Sequence, residues 1–164
     1  MQKMKVLVFM ALTWCCMSAG NQAIAQGVAA FTLQLDVASQ KNQVGDDETV
    51  TLKMTNISDH DIEYAVGGPE PFYRLLVRDI HDKAAKETAY GMKVHGTDPN
   101  RRRFFGSIFA ALLKKGETVT DKIDLGKEYD LSTPGVYRVS ASRIDPETHN
   151  VVKSNEIQIT VLPK

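Results

Sequence analysis

Arg101-Arg102-Arg103-Phe104-Phe105 is the stretch whose residue types could do the most chemistry. Three guanidiniums beside two aromatic rings suit an acidic partner, through bidentate hydrogen bonds and stacking. An exposed arginine loop of this kind also suits the specificity pocket of a trypsin-like protease. The competing reading is a solvated basic turn whose phenylalanines enter the core. A protein-binding expectation therefore falls on Arg101, Arg102, Arg103 and Phe104.

The other reactive side chains form weaker patterns. His60, His81 and His149 fall in polar turns, and His95 falls in a long insertion. No two histidines have the H-x-H or H-x-x-x-H spacing that sets two metal ligands side by side. Met92 and His95 supply too few soft ligands, so no metal site and no cofactor is expected. Asp46-Asp47-Glu48 and Asp59-His60-Asp61 lack the spacing of a calcium loop and read as Asx turns. Asn56-Ile57-Ser58 matches a glycosylation sequon. A G-x-S-x-G elbow, an H-E-x-x-H helix and a phosphate loop are all missing, so the chain is not expected to be an enzyme.

Period-two alternation supplies the elements that would carry these residues. Phe31, Leu33, Leu35 and Val37 alternate with polar residues, as do Val50, Leu52 and Met54. Further strands are expected at Ile62 to Val66, Tyr73 to Val77, Glu117 to Leu125, Tyr137 to Ala141 and Ile157 to Val161. Gly45-Asp46-Asp47, Gly67-Gly68-Pro69, 79–83 and 145–148 punctuate them as turns. About seven short strands with such turns predict an all-β fold, a single antiparallel sandwich of immunoglobulin-like or fibronectin-like type. Residues 84–115 break the rhythm as one long insertion, a place where function often sits. Within it Ile108 to Leu113 is a continuous apolar run, which periodicity assigns to neither helix nor strand.

The tightest motif is Leu131-Ser132-Thr133-Pro134-Gly135-Val136-Tyr137. Pro134 and Gly135 make a turn, and Tyr137 opens an alternating strand. A tyrosine so placed can bury its ring and return its hydroxyl to the corner backbone. With Val50 to Ser58 and Lys153 to Val161, this stretch resembles exported bacterial immunoglobulin-like domains of unknown function. Thr55-Asn56-x-Ser58, Val77-Arg78-Asp79, Lys115-Gly116-Glu117 and Pro134-Gly135-x-Tyr137 are also similar to the bacterial intracellular proteinase inhibitor family. That second resemblance runs over roughly 50–143 and implies protease inhibition, although its family works inside the cell.

The first 25 residues argue for export. Lys3 and Lys5 precede an apolar run from Val6 to Met17, and Ala23-Ile24-Ala25 is a small-x-small cleavage pattern. The run is short for a membrane span, so 1–25 reads as a signal peptide and 26–164 as the domain. Trp14 before Cys15 fits a lipid-attachment signal poorly. Removing 1–25 takes away both cysteines, so the domain is held by packing without disulfides. Lysines and arginines number 20 in the whole chain, as do the acids. Such a balance disfavours nucleic acid and anionic membrane as partners. The combined expectation is a non-catalytic exported binding module, periplasmic or secreted, with a protein partner. The alternative is an extracytoplasmic protease inhibitor acting through 101–103.

Overall fold

The computed structural model describes residues 28–67, 72–100 and 108–164. The chain is all-β. Strands run in the order β1 (Phe31–Val37), β2 (Lys41–Gln43), β3 (Thr49–Asn56), β4 (Ile62–Val66), β5 (Arg74–Asp79), then β6 (Phe109–Leu113), β7 (Thr118–Asp124), β8 (Gly135–Ile144), β9 (Val151–Lys153) and β10 (Ile157–Leu162). Two short helices interrupt them, α1 (Ala89–His95) and α2 (Leu125–Glu128).

Three sheets result among the described residues. One has the order β1-β3-β7; a second has β2-β10-β8-β5 with β9 also on β8; β4 and β6 form a ribbon. Alternation decides which side chains meet. Leu33, Leu35, Leu52 and Met54 of the first sheet and Leu75, Val77, Val139 and Ile159 of the second share one buried cluster. Burial of each such side chain contributes roughly 1.5–3 kcal/mol, which is the main term opposing chain entropy in a domain without disulfides.

Three strands lie beyond the seven that alternation marks out. Strands β2 and β9 span three residues each, too short for a period to show. The apolar run at 108–113 resolves as β6, pairing antiparallel with β4 from Ile62↔Leu113 to Val66↔Phe109. Pairing is not wholly antiparallel either: β2 lies parallel to β10, from Thr160↔Lys41 to Leu162↔Gln43. This follows from β1, which stays in the first sheet while the next residues cross to the second.

Local polar chemistry fixes the corners. The Tyr137 hydroxyl donates to the Thr133 carbonyl at 2.8 Å, closing the loop over Pro134. Asp79 accepts from the amides of His81 (2.8 Å) and Lys83 (2.9 Å), which forms the turn after β5. Asp145 is fully buried and accepts the Ala30 amide at 2.8 Å, tying the start of β1 to the turn after β8.

Candidate functional site

Two clusters in the structure have the make-up of functional sites, and both involve the insertion. The first is a polar clamp at α1. Thr88 caps this helix, accepting the Gly91 amide at 3.0 Å, and Gly96 ends it in a left-handed conformation (φ 70°). The Thr88 amide donates to the Glu128 carbonyl at 2.9 Å, which docks α1 on α2. Gly91 is required here by space: a Cβ on it would lie 2.0 Å from the Glu128 carbonyl oxygen. At the other end of α1, His95 is gripped from both sides. Its Nδ1 lies 2.7 Å from Glu87 and its Nε2 3.0 Å from Glu128.

A neutral imidazole has one N–H and one lone pair, so it satisfies only one of these carboxylates. The protonated ring satisfies both. The Glu128 contact is the main cause that raises the His95 pKa, and it outweighs burial, which opposes the charge. For Glu87, burial pushes the pKa up, but hydrogen bonds from Thr97 and His95 hold it below the ordinary value. Tyr129 stacks at 5.3 Å against the imidazole and sends its hydroxyl to the Leu75 carbonyl at 3.0 Å. With both ring nitrogens occupied, His95 offers no lone pair to a metal. Among the described residues no group of three or more His, Cys, Asp or Glu side chains converges on a metal position.

The second cluster is apolar and surrounds Arg143. The period-two alternation of β8 turns Tyr137, Val139, Ala141 and Arg143 inward, and the guanidine-bearing side chain is 8% exposed. Its NH2 group donates to the Ala65 carbonyl of β4 at 3.0 Å. The rings of Tyr64, Phe72 and Tyr73 lie 5.5, 5.4 and 5.0 Å from its central carbon. This is a cation–π box, which partly replaces lost hydration. Burial is the first cause lifting the Tyr73 hydroxyl well above the usual range, and Asp121 and Arg143 act on it in opposite senses.

Arg143 stands between two open grooves. One, of about 670 Å³, runs along the ribbon past Ile108 and Phe109 to Ile144. The other, of about 1080 Å³, passes β5 and reaches His95. The ribbon is buried at its inner end, Ile62 and Leu113, and bare at its outer end. There Phe109 is 62% exposed and Ile108, on the opposite ribbon face, is 68% exposed.

The residues singled out from sequence fare differently. Arg101, Arg102, Arg103 and Phe104 lie outside the described residues. Pro134, Gly135 and Tyr137 occupy the β8 corner, remote in role from either groove. The Asn56 sequon is built into the fold: its amide donates to the carbonyls of His60 and Leu113, both at 2.8 Å, and the residue is 1% exposed. His60 sits between Asp59 and Glu147 on the surface. Sequence reasoning missed Arg143, although the alternation of β8 places it inward. It also missed the partners of His95, Glu87 and Glu128, which come from two separate positions with no shared motif.

Comparison with known proteins adds little at this resolution of likeness. No protein-family model matches the chain, and no curated protein matches it. Among solved structures, a β-glucosidase from Listeria innocua in complex with isofagomine is similar to 83% of this chain, with 16% identity and a TM-score of 0.43. A β-glucosidase from Erythrobacter marinus is similar to 82% of it, with 17% identity and a TM-score of 0.42. This chain spans 16% of the length of each of those proteins.

Proposed function

We propose that this protein is an exported, non-catalytic module that binds a protein partner through the surface around Arg143. One observation carries the reading: large apolar side chains gather bare on this surface. Ile108 and Phe109 at the outer end of the ribbon stand beside Ile144 of β8 across the ribbon groove. Val151 is 59% exposed and pairs in register with Ile144, extending the strip onto β9. Scattered single apolar residues on a surface need no explanation, but a contiguous strip marks an interaction site. The export half of the reading rests on the features of residues 1–25.

Site-specific photo-crosslinking in the producing cell tests it. A photoreactive residue is placed in the full chain at Phe109, at Ile144 and, as a control, at Tyr90, which is exposed on α1 outside the strip. Discrete protein adducts from the first two positions and none from the third are expected. Adducts spread equally over all three, or none from Phe109 and Ile144, overturn the reading.

A further inference from the structure

We propose that the larger groove, beside β5, takes an acidic segment of the partner, one that carries carboxylates among apolar side chains. This rests on the reading above that the surface docks a protein, and adds the chemistry of what is docked.

Charge points to it first. Arg74, Arg78, Lys86 and Arg143 line this groove, and His95 at its far end is already held between Glu87 and Glu128. Among the described residues its wall holds one carboxylate, Glu87, which is already bonded to His95 and Thr97. Asp82, which pairs with Arg78 at 3.4 Å, is outside the wall. The whole chain carries as many acids as lysines and arginines, 20 of each, so the excess here is local. A cleft lined by one sign of charge focuses the field and draws in the opposite sign.

Arg143 is the anchor. A buried guanidinium is costly unless something balances its charge. Among the described residues it has aromatic faces, one backbone carbonyl and the Tyr73 hydroxyl, which Asp121 also reaches, but no direct ion pair. A guanidinium offers five donors in a planar fork that matches a carboxylate. Arg74 is nearby: it pairs in register with Ser142, the neighbour of Arg143 on β8, and its charge already acts on Glu87.

The rest of the lining asks for apolar groups. Leu76 is 40% exposed on the outer face of β5, and the exposed Ile144 and Val151 line the same groove further along β8 and β9. Simple strand addition at β5 is obstructed. The Val77 carbonyl accepts the Ala85 amide at 2.9 Å, and the Leu75 carbonyl accepts the Tyr129 hydroxyl. Recognition here therefore runs through side chains and charge rather than through a backbone ladder.

The test uses three labelled decapeptides: alternating Asp and Leu, the same with Asn for Asp, and the same with Lys for Asp. Each is titrated against the protein by fluorescence anisotropy at low and at physiological salt. The acidic peptide is expected to bind, to weaken with salt, and to outbind the Asn version at least about tenfold. The Lys version is expected not to bind. Arg74→Glu, an exposed change, should weaken the acidic peptide about tenfold and leave the Asn version unchanged. Arg143→Met should do the same, and where that variant fails to fold, Lys86→Glu takes its place. Equal binding of the Asp and Asn peptides overturns the acidic assignment and leaves the docking reading standing. No binding by any peptide overturns the acidic assignment of this groove, while the docking reading stands or falls by the crosslinking at Phe109 and Ile144. Acidic binding untouched by these variants lies elsewhere and overturns this groove as the site.

Discussion

The two halves of the insertion make opposite use of the same surface. Residues 84–97 fold into a corner where the key polar groups are answered: Thr88 caps, Gly91 touches backbone, and His95 bridges two carboxylates. Strand β6 (Phe109–Leu113) lies in a ribbon whose outer end, with Ile108 just before it, answers nothing and shows apolar side chains to water. The corner gains stability from pairing. The ribbon gains little from what it exposes. An outer end that contributes little to folding while bearing such side chains is better explained by contact with another molecule.

That contrast predicts which substitutions unfold the protein and which leave it folded. The largest effect is expected at His95→Ala, which leaves Glu87 and Glu128 facing each other with no cation between them. A loss of about 3 kcal/mol in chemical denaturation is expected, the cost of breaking a buried pair from one side. Wild-type stability should also depend on pH. The clamp raises the imidazole above its ordinary value, so its contribution is whole below about pH 6.5 and fades as pH rises through the raised value. Glu87 is held below its ordinary value, so its share is whole above about pH 4.5 and fades as pH falls through the lowered one. Denaturation midpoints in neutral and alkaline buffer should diverge, and His95→Gln should remove the alkaline limb.

Gly91→Ala comes next. The new methyl meets a backbone oxygen that cannot swing aside, so about 2 kcal/mol of stability should go despite the better helix propensity of alanine. Unchanged thermal unfolding in this variant would break the idea that α1 and α2 are locked together. Thr88→Ala should cost about 1 kcal/mol, the usual worth of an N-cap. The smallest stability effect is expected at Phe109→Asp, within about 0.5 kcal/mol of wild type, since the ring is mostly in water. The same variant should lose the crosslinked partner. A ribbon variant that unfolds like a corner variant would erase the comparison.

The sequence is most legible where a period repeats long enough to count. Strands β1, β3, β8 and β10 each show at least three alternating apolar positions, and all four stand where alternation puts them. Strands β2 and β9 do not, because three residues hold no repeat. The run at 108–113 is ambiguous because it is apolar on both faces, which is the very property that makes the ribbon a candidate surface. Arg143 shows two signals in conflict: alternation sends it inward and charge argues for water. Alternation wins because three aromatic rings receive it. The histidine clamp is not legible at all. Glu87, His95 and Glu128 come together only because a glycine lets one helix press against the end of another.

The parallel pairing of β2 with β10 has a mechanical consequence. Strand β2 follows β1 directly, and β10 is the last strand. A pull that separates the two ends of the domain would drag these neighbours past each other along their own lengths. Their hydrogen bonds, with those from Thr160 to Gln40 and from Val44 to Leu162, would then bear the load together instead of opening one at a time. The domain is thus built to resist stretching from its ends more strongly than peeling from its edges.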